Sequence, residues 1–228
     1  EPLEQFLAEL SSKNILLILD GLDRSLDSPL FLTQLIDRLP SLRIIITSRE
    51  SLHNENKAVV EIHGLAMPDR DSPDAESYPS VQLFLQHARI FPDFEPGLFT
   101  ISHICRLLDG MPLALELASA WASSLSCEQI AHHIEYGLSL HQTDKVSGEY
   151  QSMIAIFDSI WSLFSETERR TLLGLSVFKG GFSQLAALKI AGASSFFLDS
   201  LLNKKLIQRQ KPHRYALHPS LLQYLQEK

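Results

Sequence analysis

Two carboxylates follow a short apolar run near the start of the sequence, where they could support magnesium binding. Residues 15–19 are apolar and lead directly into Asp20, and Asp23 follows three positions later. A carboxylate at the carboxyl end of a buried parallel strand lies at the edge where α/β sheets bind ligands. In phosphate-handling proteins an aspartate at this position holds Mg²⁺, usually through water. The alternative is that Asp20 only caps the turn, and this stretch alone does not decide between the two.

Three more stretches carry candidate residues. Arg49 follows a second apolar run, residues 44–46, and from the same sheet edge it could reach a γ-phosphate. A surface arginine that starts a loop is the commoner case. Pro112, in "DGMPLALELA", suits a corner between two helices, and His218, in "YALHPSLL", suits a helix start whose hydrogen bonds are satisfied. Taken alone, Pro112 and His218 are explained better by structure than by function.

The elements that must position these residues begin with an α/β segment, residues 1–65. Its two apolar runs show no alternation, which is typical of parallel strands covered on both faces. A helical pattern lies between the runs, and strand–helix–strand predicts a right-handed crossover. The stretch "AVVEI", residues 58–62, could add a third short strand.

The remainder of the sequence favours helices. Residues 66–79 are rich in Pro, Asp and Ser and predict a linker, and residues 80–148 predict a small helical domain. Residues 149–228 predict a winged helix, because helices are followed by two alternating runs around "KPH", which is typical of a hairpin. Ser126 with Gln129, and Ser165 with Glu168, predict capping boxes at two helix starts.

Composition excludes several classes of protein. The 228 residues carry a formal net charge of −7, whereas dedicated nucleic-acid binders are normally basic. The two cysteines are too few for a disulfide framework, which favours a cytoplasmic location. No apolar run approaches the ~18 residues that a membrane span requires, so no membrane partner is expected.

The order and spacing of these stretches resemble the NB-ARC branch of the STAND signal-transduction ATPases, which are related to AAA+ proteins, and especially bacterial transcriptional regulators. "LLILDGLD" resembles the Walker B strand of the family, and "RIIITSRE" resembles its sensor 1 strand. "ICRLLDGMPLALELASA" is similar to its GLPLAL motif, with Met111 in place of Leu. "SETERRTLLGLSVFKGGFS" is similar to the start of its winged helix, and "LHP" falls at its Met-His-Asp motif.

The resemblance implies a fold and a role for each candidate residue. The fold would be an α/β remnant of a P-loop NTPase core, then a helical domain and a winged-helix domain, mostly α overall. Asp20 and Asp23 would be the catalytic carboxylates, with Asp20 holding Mg²⁺ through water. Arg49 would be the sensor 1 arginine, Pro112 would pack on adenine, and His218 would contact the β-phosphate of ADP. ADP would lock the three domains together, and exchange for ATP would release them.

Two departures from the family pattern bear on activity. Gly21 follows Asp20 where many hydrolytic relatives carry an acid, which leaves the catalytic base open. The sequence also has no G-x-x-x-x-G-K-[ST] motif, whose amides and lysine cradle phosphates. This loop lies upstream in the family, so we expect a fragment of a slow ATPase. The fragment itself should be inactive and should hold neither ATP nor ADP with Mg²⁺ tightly.

The resemblance also implies partners. We expect an upstream P-loop segment and a downstream sensor or repeat domain in the same chain, with self-assembly on activation and no direct DNA binding. Two alternatives remain open. One is a winged-helix DNA-binding protein, since basic residues cluster around the hairpin: Lys204, Lys205, Arg209, Lys211 and Arg214. The other is a nucleotide-free scaffold that keeps the fold for protein–protein contacts.

Other polar clusters favour structural roles. His132, His133 and Glu135 lie on one predicted helix, but adjacent histidines point to different faces, which predicts a solvated surface rather than a metal site. Cys105 falls on an apolar helix face and is expected in the core.

Overall fold

The chain forms two compact units, residues 1–61 and residues 62–228. The structure is a computed structural model, and it describes residues 10, 15–22, 28–39, 42–48, 58–70, 72–140 and 148–228. Most of the described residues are helical, as the sequence predicts.

The first unit contains a strand–helix–strand arrangement. Strand β1 is Leu16–Leu19, helix α1 is Ser28–Arg38, and strand β2 is Arg43–Ile46. The two strands pair in parallel, with Leu16 opposite Arg43 and Leu19 opposite Ile46. This confirms the predicted parallel pairing.

Only one face of this sheet is covered by a described element. Leu35 of α1 and Leu39, which follows the helix, pack with Leu17 and Ile44 of the strands. The opposite face exposes three large apolar side chains, which are 51%, 62% and 50% accessible: Leu16, Ile18 and Ile45. Within the described chain the prediction of strands buried on both faces is therefore wrong. An apolar run without alternation predicts that both faces are covered, but it does not identify the element that would cover the second face.

The predicted third strand, residues 58–62, is not a strand in the structure. Its three large apolar residues are strongly exposed: Val59, Val60 and Ile62. β-branched residues favour strands only where a partner supplies the ladder. The described part of the first unit contains no strand that pairs with residues 58–62.

The second unit begins with a layer of helices. They are α2 Pro79–Ala88, α3 Leu98–Leu107, α4 Pro112–Ala120, α5 Cys127–Leu140 and α6 Gly148–Leu163, with short 3₁₀ turns at Ala75–Ser77 and Trp121–Ser123. The predicted capping box before α5 is present. The Ser126 amide donates to Gln129 Oε1 at 2.9 Å, and the Gln129 amide donates to Ser126 Oγ at 3.3 Å.

The second unit ends in helices around a small sheet. Its elements are α7 Glu166–Leu175, β3 Phe182–Ser183, α8 Gln184–Ala191, α9 Ser195–Asn203, β4 Ile207–Lys211, β5 Arg214–Leu217 and α10 Pro219–Glu227. The strands form an antiparallel sheet in the order β3-β5-β4. This confirms the predicted hairpin, and the Ser165–Glu168 capping box that opens α7 is also present.

One hydrophobic core runs through the second unit from Val81 in α2 to Leu225 in α10. Cys105 is fully buried in it, as predicted, and burial raises the pKa of its thiol to about 11. No single helix of the described residues is long and apolar enough to cross a membrane. Helices α8 and α9 meet that length and composition only as a pair bent by 108°.

Candidate functional site

Asp20 lies at the carboxyl end of β1, next to the end of β2. The Thr47 hydroxyl donates a short hydrogen bond to Asp20 Oδ1, and the same hydroxyl accepts the Gly21 amide at 2.9 Å. The Leu22 amide donates to the Thr47 carbonyl at 3.1 Å. Thr47 therefore fixes the first turn after β1 and orients one carboxylate oxygen of Asp20.

Gly21 permits this turn because its φ is +68°, in the left-handed region that side chains disfavour. Asp20 itself is exposed. Oδ1 is thus part of the turn, as the capping interpretation requires, and the magnesium role of this exposed carboxylate stays a prediction.

Two predicted site residues, Asp23 and Arg49, lie outside the described residues. Their assignment therefore remains a prediction. Thr47 belongs to the stretch "RIIITSRE", which was expected to leave the sheet at the same edge as Asp20. Thr47 does follow β2 directly and lies next to Asp20. Its role as a bridge between the two strand ends was not foreseen, because the sequence pattern predicts strand direction but no side-chain hydrogen bond.

The GMPLAL stretch forms a tight corner between α3 and α4. Asp109 and Gly110 both have positive φ, 50° and 64°, and Pro112 occupies the first turn of α4. The Leu65 amide donates to the Gly110 carbonyl at 2.8 Å. Gly64 approaches so closely that a Cβ there would lie 1.9 Å from the Asp109 carbonyl oxygen. Pro112 is exposed at the start of the helix.

The segment predicted as a linker packs on this corner. Leu65 and Met67 contact the core of the second unit, and Ala75 is buried. The Arg106 guanidinium donates to the Pro68 carbonyl at 3.0 Å. The predicted linker is thus anchored on the helices of the second unit and contains the 3₁₀ turn at Ala75–Ser77.

His218 is the N-cap of α10. Its Nδ1 atom accepts a hydrogen bond from the Ser220 amide at 3.3 Å. Because a neutral imidazole that accepts at Nδ1 carries its proton on Nε2, this cap leaves Nε2–H as a donor. Burial lowers the pKa of His218, and the Glu116 carboxylate opposes that effect.

Glu116 is the neighbour of His218 that sequence reasoning missed. It lies on α4, one turn after Pro112. Its negative charge favours the protonated form of His218 at the start of α10. Pro112 and His218 therefore belong to one unit, and the carboxylate of Glu116, on the helix that Pro112 begins, opposes the lowering of the His218 pKa by burial. Helical spacing could have placed Glu116 on the same side of α4 as Pro112, but only tertiary packing brings His218 near it.

The basic residues around the hairpin are mostly engaged by the protein itself. The Arg214 guanidinium donates to the carbonyls of Gly180 and Gly181 at 3.1 and 3.0 Å. The Lys204 ammonium lies 4.4 Å from the centroid of a phenylalanine ring, and the Arg209 guanidinium lies 5.6 Å from that of a tyrosine. Such contacts orient the three side chains against the protein, although they do not neutralise the positive charges.

The described residues contain no group of three or more His, Cys, Asp or Glu side chains that could hold a metal ion. In particular, Glu135 pairs instead with His103 Nε2 at 2.7 Å, and His133 lies edge-on to Trp121. His132 is exposed. These contacts agree with the predicted surface role for this stretch of α5.

The fold is similar to that of a solved Signal Transduction ATPase with Numerous Domains (STAND). That protein, from Pyrococcus horikoshii, has a tetratricopeptide repeat sensor. The match has a TM-score of 0.51 and 17% identity, and it covers 98% of this chain and 29% of the other. The likeness shows a STAND-like fold.

Curated relatives occur in mycobacteria. Proteins of Mycobacterium bovis and Mycobacterium tuberculosis, each named "Putative HTH-type transcriptional regulator", are 29% identical over 237 residues, which cover 96% of this chain and 26% of theirs. A second Mycobacterium tuberculosis protein, named as uncharacterized, is 28% identical over 187 residues. That match covers 79% of this chain and 45% of the other protein. The chain thus spans about a quarter of the length of the named regulators. No protein-family model matches the chain.

Proposed function

We propose that residues 1–228 are a nucleotide-responsive part of a STAND-type regulatory ATPase of the NB-ARC branch, which acts in the cytoplasm in transcriptional or signalling control. A regulatory role of the STAND type is supported by the STAND-like fold and by similarity to proteins named as transcriptional regulators. The observation that carries the proposal is the sheet edge where the Thr47 hydroxyl donates to Oδ1 of the exposed Asp20 carboxylate.

In this proposal, each candidate residue has a role of its own. Asp20 binds Mg²⁺ through water, because Mg²⁺ keeps several waters and uses few protein carboxylates when phosphates are present. Pro112 packs on adenine, Arg49 senses the γ-phosphate, and His218 donates from Nε2 to the β-phosphate. The start of α10 supports the last contact, since helix N-termini favour anions. Asp23 is the second catalytic carboxylate.

Asp20→Asn tests the magnesium part of the proposal in the intact protein. We expect the affinity for ATP in the presence of Mg²⁺ to fall by about 10- to 100-fold, the usual effect of losing an outer-shell partner of a metal. Calorimetry with and without EDTA measures this effect, and the substitution should make the affinity insensitive to EDTA. Asp93→Asn, at an exposed aspartate of a helix–helix connection, is the matched control. Unchanged EDTA sensitivity in Asp20→Asn would remove Asp20 from the site.

DNA binding is the second candidate function, and the arrangement of residues 165–228 is what favours it. We propose that this segment is a winged helix, with α9 in the position of a recognition helix. However, α9 exposes Phe196, which is 84% accessible, together with Asp199. An apolar and acidic surface is the reverse of the electrostatic footprint that a duplex requires.

We therefore expect the 228-residue chain to bind duplex DNA only weakly. At physiological salt the dissociation constant should exceed about 10⁻⁵ M, within the range of non-specific binding. Fluorescence anisotropy with a labelled duplex measures it, and Arg209→Glu should leave the value unchanged. Sequence-specific binding at nanomolar protein, abolished by Arg209→Glu, would favour a DNA reader over a nucleotide switch.

A further inference from the structure

Helix α10 is attached to α6 through one carboxylate. The Tyr224 hydroxyl donates a short hydrogen bond to Asp158 Oδ1, and the Lys228 ammonium lies 2.8 Å from the same oxygen. The Asp158 side chain is only 16% accessible. A nearly buried carboxylate that accepts from α10 and from the residue that follows it forms a strong point of attachment, because hydrogen bonds to charged groups are stronger than those between neutral groups.

Aromatic packing surrounds this attachment. The Tyr224 ring lies 5.3 Å from the ring of Phe157 and 6.3 Å from that of Trp161, and the Lys228 ammonium lies 5.1 Å from the Tyr224 centroid. Burial and the Asp158 carboxylate raise the pKa of Tyr224, so the phenol stays protonated and remains a donor.

Helix α6 is itself held rigidly by α5. At Gly137 a Cβ would lie 2.7 Å from the Ala155 carbonyl oxygen, so the two helices approach closely there. The Ser159 hydroxyl lies 2.8 Å from the Ala155 carbonyl oxygen of its own helix and 3.1 Å from the His133 carbonyl oxygen of α5, and it shares its one proton between these acceptors. Asp158, next to Ser159, is therefore a fixed point on the helical layer.

His218 lies at the other end of α10. Its carbonyl accepts the Leu222 amide at 2.9 Å, the first hydrogen bond of the helix. Tyr224 is six residues further on, less than two turns away, so the two residues move as one rigid body while α10 is intact. Whatever fixes Tyr224 also fixes the position of His218.

We propose that Asp158, Tyr224 and Lys228 form a clamp that positions His218 for its nucleotide contact by holding α10 on α6. This inference rests on the proposed function, because it assigns the clamp a role in ADP retention. Tyr224 and Asp158 are positioning residues that act through His218. Opening the clamp releases α10 and withdraws the histidine from the phosphate.

Tyr224→Phe tests the clamp without removing the ring. In the 228-residue chain we expect the amides of α10 to exchange about tenfold faster with solvent deuterium, because one charge-assisted hydrogen bond is lost. The amides of α3 and α5 should be unchanged, since the opening is local. Tyr136→Phe, at a tyrosine of α5 that is 61% accessible, is the matched control and should have no effect.

A double-mutant cycle in the intact protein separates positioning from simple stabilisation. Tyr224→Phe should release ADP about tenfold faster in the wild-type background. It should have no further effect in a His218→Asn background, because residues that act through one contact are not additive. Asparagine keeps an acceptor for the Ser220 amide, so the N-cap of α10 survives in that background.

Other results would contradict the clamp, the positioning role or the nucleotide contact of His218, and they can be told apart. Unchanged exchange in α10, or equal acceleration throughout residues 62–228, would overturn the clamp. Fast exchange in α10 with normal ADP release would overturn the positioning role, provided that His218→Asn alone speeds release. If neither His218→Asn nor Tyr224→Phe changes ADP release, the proposed nucleotide contact of His218 fails together with the inference.

Discussion

Gly64→Ala is expected to lower the free energy of unfolding of residues 62–228 by about 2–4 kcal/mol, the range of severe packing defects. The new Cβ would lie 1.9 Å from the Asp109 carbonyl oxygen and 2.8 Å from the Gly110 carbonyl carbon. Both are backbone atoms, so no side-chain rotation relieves the clash. The corner cannot yield easily, since Asp109 and Gly110 already hold left-handed conformations.

Urea unfolding followed by far-UV circular dichroism measures the effect of Gly64→Ala. Gly180→Ala is the matched control, because a Cβ at that position has nothing within 4 Å and the backbone φ is not positive. The control should unfold at nearly the wild-type midpoint. Equal midpoints for the two variants would show that residues 62–68 are not anchored on the GMPLAL corner.

His218→Ala in the intact protein is expected to speed ADP release by about 10- to 100-fold. Loss of one hydrogen bond to a charged group costs about 1.5–3 kcal/mol, which corresponds to a change of that size. The protein should shift towards its open form, because a ligand can hold a two-state equilibrium only through contacts that differ between the states. The ratio of ADP to ATP retained on purification, together with a reporter assay, measures the shift.

Two further substitutions sharpen the His218 experiment. His218→Asn keeps a capping acceptor for the Ser220 amide but removes the Nε2 donor, so it should release ADP like alanine without the loss of helix stability. Arg49→Ala should act in the opposite direction, because it removes the proposed γ-phosphate contact that favours ATP. A His218→Asn protein that retains as much ADP as wild type would show that the histidine serves only as a helix cap.

Local patterns in the sequence predicted most of the elements. Ser126 with Gln129 and Ser165 with Glu168 form the expected capping boxes, since a capping box depends on residues only three positions apart. The hairpin of β4 and β5 and the parallel pairing of β1 and β2 also follow from patterns within short windows. The strand at residues 58–62 was wrong because a strand also needs a partner, which propensity does not provide.

The candidate site was predicted only in part, and Asp20 shows where the limit lies. Its place at the end of β1 follows from the apolar run before it, whereas its hydrogen bond to Thr47 joins residues 27 positions apart. His218 was placed correctly before α10, but the Glu116 charge beside it comes from a helix about 100 residues earlier. Roles in magnesium or nucleotide binding stay predictions for all five candidates: Asp20, Asp23, Arg49, Pro112 and His218.

The sequence by itself determined the order of the elements, the helix starts, and the residue types at the sheet edge and at the start of α10. These features depend on backbone propensity, on helix capping and on the spacing at which apolar residues recur, all of which act over a few residues. Only the tertiary structure decided that Gly64 packs against Gly110, that Asp158 holds Tyr224, and that one sheet face is left uncovered by the described elements. Such contacts join residues distant in the chain, and close packing of specific shapes, rather than local preference, selects them.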